Sequence, residues 1–264
     1  LEFRRVLFRS YPFFRGIMLV MKTIAFLNLS NPCKKERVEP TIAQWKALGY
    51  TIQVSPYLYQ ESTPEQRASV FNAFVQANIP FIFDVSGGDL ANQTLPYLDF
   101  NAYQKSTSCF HAYSDCTCVL NVLAPLRPCV LFQIAQNTNV EAIDAYLRQE
   151  DTSLICRKGV GGNIRCFLKL AGTKYFPDVK GQDLFLESHS GNAYRIASYL
   201  AQLEQMGVFD QIASLTFGQF TELKQLHQMD VLVKKAEALS IPCFFTDEIG
   251  HSKDSKALLL EYRK

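Results

Sequence analysis

Ser114 lies in a stretch, F-H-A-Y-S-D-C-T-C-V-L over residues 110–120, whose residue types could carry nucleophilic chemistry. A short apolar run ends at Tyr113, a serine and an acidic residue follow, and Cys118, Val119, Asn121 and Val122 can continue as a helix. A serine at a strand-to-helix turn is held out of the sheet, with the flanking backbone N–H groups aimed at whatever lies above it. That is the geometry of a nucleophile elbow, although the G-x-S-x-G glycines are absent. A Ser-Asp pair opening a helix is equally an ordinary N-cap, and the stretch alone leaves both readings open.

A nucleophilic serine needs a base, and the base needs a carboxylate to orient it. The chain has four histidines. His227 lies in a polar helical patch and reads as solvated surface. His111 falls within the strand ahead of the serine, where a packed imidazole is expected. His189 follows Glu187 in a loop. His251 follows Gly250 just past an apolar strand, where a side chain can project into a cleft. Glu187 closes the run L-F-L-E, as a surface strand end or as a buried partner. Cys109-x-His111 and Cys116-x-Cys118 could supply four zinc ligands, but the spacings are tight and flank a strand-turn-helix that would turn them to opposite faces. The expectation is chemistry without metal or cofactor.

These groups must be positioned by a chain of 264 residues, enough for one large or two modest domains with a substantial core. The 27 basic and 25 acidic residues leave a formal charge of +2, and no basic stripe is interleaved with aromatics, which argues against a nucleic-acid partner. Apolar residues make up 48% and aromatics 12%, a globular composition. The eight cysteines lie mostly in apolar runs such as L-I-C-R and I-P-C-F-F, where thiols act as small hydrophobes. That favours reduced thiols and a cytoplasmic setting over a disulfide framework.

Residues 1–20 are read as a non-native leader. The opening L-E-F-R-R-V-L-F-R-S resembles a translated sequencing-library adapter. A signal peptide is the competing reading, with arginines ahead of I-M-L-V-M, but that run is short, Lys22 breaks it and no small-residue cleavage site precedes the next strand. No stretch reaches the length of a membrane span, and no membrane partner is expected. Met21 is taken as the natural start, with Met18 as the alternative.

Along the chain, 22–29 reads as a buried strand and 36–48 as a helix with Val38, Ile42, Trp45 and Leu48 on one face. A strand at 51–54 precedes a helix at 63–77, where Thr63, Pro64 and Gln66 form a capping box. A third strand, 80–85, ends in Ser86-Gly87-Gly88. This β-α-β-α-β alternation predicts a doubly wound parallel sheet, with ligands beyond the carboxyl ends of its strands. Both Gly87-Gly88 and Ser114 fall at such ends. A strand at 128–134 and a helix at 140–148 follow, and a polar seam at 149–151 marks a domain boundary. The second half begins with a strand at 153–156 and a glycine turn at 159–163. It continues with strands at 183–186, 212–217 and 242–246, and helices at 193–206 and 231–239.

Taken together, several segments resemble the serine peptidase family of murein L,D-carboxypeptidases and microcin C immunity peptidases. They are S-G-G-D-L-A-N-Q-T-L-P-Y-L-D-F at 86–100, Y-S-D-C-T at 113–117, G-G-N-I at 161–164 and G-T-K-Y-F-P-D at 172–178. L-F-L-E at 184–187, Y-R-I at 194–196 and Gly250-His251 complete the set, in the family's order, from about Lys22 to the C-terminus. The resemblance implies an α/β fold. An N-terminal doubly wound parallel-sheet domain, flavodoxin- or glutamine-amidotransferase-like, would span 21–150. A smaller C-terminal α/β swivelling domain at 151–264 would carry the Glu and His of the site.

The resemblance places the nucleophile on Ser114, the carboxylate on Glu187 and the base on His251, with an oxyanion hole made by the backbone N–H groups of Gly88 and Asp115. Gly87, Tyr113 and Arg195 are candidate substrate contacts, with Arg165 a second candidate for the substrate's terminal carboxylate. Two positions depart from the family pattern: Ala112 stands where glycine is usual, and Ala197 where aspartate is usual. The implied activity is release of the terminal D-alanine from murein tetrapeptide in cell-wall recycling, by a homodimer. Cleavage of peptidyl or aminoacyl nucleotide amides is the alternative, in a pocket that must stack an adenine. A catalytically silent binding protein is the third reading.

Overall fold

The computed structural model describes residues 23–263. The leader and the choice between Met18 and Met21 lie outside the described residues. The strands are β1 (Thr23–Leu27), β2 (Thr51–Val54), β3 (Phe81–Asp84), β4 (Cys109–Ala112), β5 (Cys129–Leu131), β6 (Ile155–Asn163), β7 (Asp183–Ser188), β8 (Ser214–Phe220), β9 (Cys243–Phe245) and β10 (Ala257–Leu260). Their order across the sheet is β2-β1-β3-β4-β5-β10-β6-β7-β8-β9. All pairings are parallel except that of β10 with β5.

The helices are α1 (Lys35–Ala47), α2 (Pro64–Gln76), α3 (Phe100–Lys105), α4 (Thr117–Leu123), α5 (Val140–Leu147), α6 (Ile164–Leu168), α7 (Ala193–Gln205), α8 (Thr221–Gln225) and α9 (Asp230–Ala238). Val38, Ile42 and Trp45 of α1 are buried, as their spacing predicts, but Leu48 caps the helix and is 37% exposed. The capping box of α2 is present: Gln66 N–H donates to Thr63 Oγ1 and Thr63 N–H to Gln66 Oε1. Apolar side chains on the two faces of the first-half strands fill separate core clusters under α1 and α5 and under α2 and α4, which is why those strands read as continuous apolar runs.

The order β2-β1-β3-β4-β5 is the flavodoxin-like one, whose switch point between β1 and β3 leaves a crevice above the strand ends. Ser114 follows β4, next to that crevice. Two features differ from the sequence expectation. Residues 159–163 form no turn; they are the second half of β6. A Cβ on Gly162 would come within 2.8 Å of Thr117 Oγ1, so the glycine serves close packing of β6 against α4. The tail after His251, unread as structure in the sequence, supplies β10. Its Ala-Leu-Leu-Leu is fully buried, antiparallel to β5 on one side and parallel to β6 on the other. The C-terminal segment therefore stitches the two halves together. Among the described residues no helix is long and apolar enough to cross a membrane.

Candidate active site

The elbow is built from three conformations in succession. Tyr113 is fully extended at φ −153°, Ser114 is left-handed at φ 51°, and residues Ser114–Cys116 make a 3-10 turn that runs into α4. An N-cap serine would have an extended backbone and would accept a bond from an amide of the first turn; Ser114 has neither feature. A left-handed serine costs about 1–2 kcal/mol and persists only where its surroundings impose it. Ala112 is absent from the positive-φ residues, so its methyl sits in β4 without strain where a glycine is usual.

Asp115 does the imposing. It is fully buried, and its carboxylate accepts from Ser30 Oγ at 2.6 Å and from Ala91 N–H at 2.9 Å, and is ion-paired with Lys169. The turn is thereby tied to the loops after β1 and β3. Cys116 N–H donates to Tyr113 O at 3.1 Å as the first bond of the turn, so the Asp115 N–H precedes it and is left unused by the turn. Gly88 faces the same crevice at φ 126°. A Cβ there would fall 2.1 Å from Asn31 Oδ1, an atom that already accepts from Asp89 N–H at 2.8 Å. Arg165 Nη2 donates to Gly88 O at 2.9 Å, which fixes the peptide without engaging the Gly88 N–H. Beside it Gly87 borders open space.

Glu187 is the penultimate residue of β7 at 1% exposure, which settles it as a buried partner, and His251 reaches it from the loop after β9. Nδ1 of His251 lies 2.7 Å from Glu187 Oε2. A carboxylate only accepts, so Nδ1 carries the proton and the Nε2 lone pair is free to act as base. Nε2 is buried and has no hydrogen-bond partner among the described residues. Burial pulls the imidazole pKa down, but the charge and hydrogen bond of Glu187 outweigh it and the balance is upward, with the charge of Arg37 opposing. The ring of Tyr113 meets the His251 ring edge-on at 5.9 Å, which brings the imidazole beside the elbow.

Matches to two family descriptions, the LD-carboxypeptidase N-terminal domain over residues 24–133 and the LD-carboxypeptidase C-terminal domain over 158–263, cover most of the chain in the right order. The chain belongs to the LD-carboxypeptidase family. It is therefore a peptidase, with the mostly parallel two-domain α/β architecture of that family. A protein of Treponema pallidum named as a carboxypeptidase is 23% identical over 279 residues, 83% of this chain and 82% of its own. The microcin C7 self immunity protein MccF has the same fold, with a TM-score of 0.79 at 18% identity and 92% of each chain covered. So does muramoyltetrapeptide carboxypeptidase from Oxalobacter formigenes, with a TM-score of 0.74 at 22% identity, covering 90% of this chain and 92% of that one.

The other sequence candidates of this LD-carboxypeptidase chain are placed as follows. His111 is fully buried, stacked on Phe83 at 4.3 Å and 2.9 Å from Tyr146 OH through Nε2, and burial lowers its pKa to about 3. His227 is exposed. His189 is exposed above His251, with ring centroids 4.9 Å apart. Cys109 Sγ is 3.8 Å from His111 Nε2, whereas Cys118 donates to Asp115 O under the elbow. Arg165 is ion-paired with Asp89. Arg195 is exposed on the first turn of α7, where its side chain makes no ion pair or hydrogen bond among the described residues.

Three residues that position the site carry no sequence signal of their own. Gln219 on β8 clasps the His251 loop: its Nε2 donates to Asp247 O and Ser252 Oγ, both at 2.7 Å, and its Oε1 accepts from Ser252 N–H at 3.0 Å. Asn121 on α4 is fully buried and ties the elbow helix to β6, bonding both the N–H and the C=O of Gly161 at 2.8 Å. Arg37 on α1 donates through Nη2 to the phenol oxygen of Tyr113.

Proposed function

We propose that the protein is a serine-type L,D-carboxypeptidase that releases the terminal D-alanine of murein tetrapeptide in the cytoplasm, without metal or cofactor. What carries this reading is the buried Glu187–His251 hydrogen bond of 2.7 Å, with the unpartnered Nε2 beside a residue adjacent to a left-handed serine. In this reading His251 Nε2 takes the Ser114 proton as Oγ attacks the amide carbonyl. Glu187 holds the tautomer and stabilises the imidazolium. The N–H groups of Gly88 and Asp115 receive the oxyanion, each worth about 3 kcal/mol in sites of this kind. His251 then returns the proton to the leaving D-alanine nitrogen, and water, activated by the same imidazole, hydrolyses the acyl-enzyme.

The test is to incubate the protein with murein tetrapeptide and, separately, with an aminoacyl sulfamoyl adenylate, following both by mass spectrometry. Loss of D-alanine from the tetrapeptide is expected; its absence would sink the proposal, and turnover of the adenylate alone would transfer it to the immunity-peptidase reading. Trp45, the chain's one tryptophan, is 1% exposed in the core and cannot stack a nucleobase, which weighs against that alternative. A Ser114→Ala variant with full activity would remove the serine mechanism. Homodimer formation belongs to the same proposal and is read by light scattering on a sizing column.

A further inference from the structure

Arg37 brings a cation to the crevice, and no carboxylate among the described residues neutralises it. Its Nη2 donates to Tyr113 OH, its guanidinium carbon lies 5.8 Å from the Tyr113 ring centroid, and that ring meets His251 at 5.9 Å. Among the described residues Arg37 forms no ion pair, and its side chain is half-buried. The neighbouring cations are committed elsewhere. Arg165 is held by Asp89 and Gly88 O, and Lys169 by Asp115 and Asp89 O. A guanidinium has five N–H donors in a planar fork, and the tyrosine takes one of them. The charge of Arg37 is also felt at both His251 and His189, where it opposes protonation.

We infer that Arg37 binds the terminal carboxylate of the leaving amino acid, with Tyr113 holding its guanidinium in place. This rests on the carboxypeptidase reading. The carboxylate of a C-terminal residue sits one α-carbon beyond the scissile nitrogen, so its reader must stand within a side chain's length of the base. Arg37 is separated from His251 by a single aromatic ring. A half-buried arginine with a free fork matches a carboxylate bidentately, and the low dielectric of a filled crevice strengthens the pair. Arg165, whose charge is already paired with Asp89 and whose Nη2 is held by Gly88 O, is a poorer candidate, and Arg195 makes no ion pair or hydrogen bond with the site among the described residues.

The experiment compares a tetrapeptide ending in a free carboxylate with its C-terminal amide, using wild type, Arg37→Met and Arg37→Lys proteins. Circular dichroism and thermal melts first establish that each variant is folded. The wild type should prefer the acid about 100-fold. Arg37→Met should bring the two substrates close to parity, mainly through KM, and Arg37→Lys should restore part of the preference. The groups that face His251 are Glu187 from β7, His189 from the loop after it, Tyr113 from the end of β4 and Arg37 from α1. Removing only the last raises the imidazole pKa, so the acidic limb of kcat/KM should move to higher pH in Arg37→Met. An undiminished preference for the acid in Arg37→Met would overturn the inference. Calorimetry on a Ser114→Ala background separates the remaining failures. Equal affinity for acid and amide with Arg37 present would reject the Arg37 assignment alone, whereas binding of neither peptide would reject the carboxypeptidase reading and this inference with it.

Discussion

Nδ1 of His251 lies 2.7 Å from Oε2 of Glu187, and the two residues are 64 positions apart in the chain. The bond joins the end of β7 to the loop after β9, both from the second half of the molecule, and delivers the imidazole to Tyr113 of the first half. The hydrogen bond defines the tautomer, and burial makes it strong.

Replacing Glu187 with Gln should lower kcat by roughly 1,000-fold to 10,000-fold, the scale seen when a triad carboxylate becomes an amide. The pH profile supplies a second readout. With the carboxylate gone, burial and Arg37 are left, and both act to lower the His251 pKa. The residual activity of Glu187→Gln should therefore have its acidic limb at lower pH than the wild type. Steady-state kinetics across the pH range decides it, and an unmoved limb would detach His251 from the rate.

Stability carries the same linkage with its own sign. The folded-state pKa of His251 is raised above its ordinary value, so the unfolded state releases the proton at lower pH than the native state does. The stabilisation from the protonated pair is fully present below the ordinary histidine pKa and is lost as pH rises through the folded-state value. The difference in Tm between wild type and Glu187→Gln should shrink over that window. A gap that widens with rising pH would contradict the pairing.

Ser114 has φ 51°, which glycine adopts without cost and a residue with a Cβ does not. Both Ser114→Ala and Ser114→Gly should be inactive. The glycine variant should be the more stable of the two by about 1 kcal/mol, because only it releases the left-handed strain. Urea denaturation measures the difference, and equal stabilities would mean that the elbow is unstrained.

Asn121 is saturated: Nδ2 donates to Thr117 O and Gly161 O, both at 2.8 Å, and Oδ1 accepts from Gly161 N–H at 2.8 Å and Tyr262 OH at 2.9 Å. Asn121→Ala strips partners from buried backbone groups on α4 and β6. It should cost about 3 kcal/mol in a denaturant titration, with kcat also reduced because the elbow helix loses its tie to the second half. A loss below about 1 kcal/mol would show that water replaces the amide without penalty.

Much of the fold was legible in the residues themselves, whereas the roles of Ser114, Glu187 and His251 came from the family resemblance. Apolar runs such as 22–29 and 80–85, alternating with the capped helix at Thr63, call for a parallel sheet wherever they are folded, because burial on both faces demands a continuous apolar strand. The residue types at Ser114, Glu187 and His251 define which groups can be nucleophile, orienting acid and base. Other features are long-range and leave no local trace. The glycines at 159–162 look like a turn because the signal for a turn and for close packing is the same missing Cβ; only contact with β7 and α4 shows which applies. The strand β10 was unreadable because its partners, β5 and β6, lie about a hundred residues earlier. Tertiary structure alone decided that Ser114 is left-handed, that Glu187 is buried against His251, and that Arg37 stands beside Tyr113 with no ion pair among the described residues. A backbone angle, a burial and an unmatched charge are each set by what surrounds a residue, and those surroundings come from distant parts of the chain.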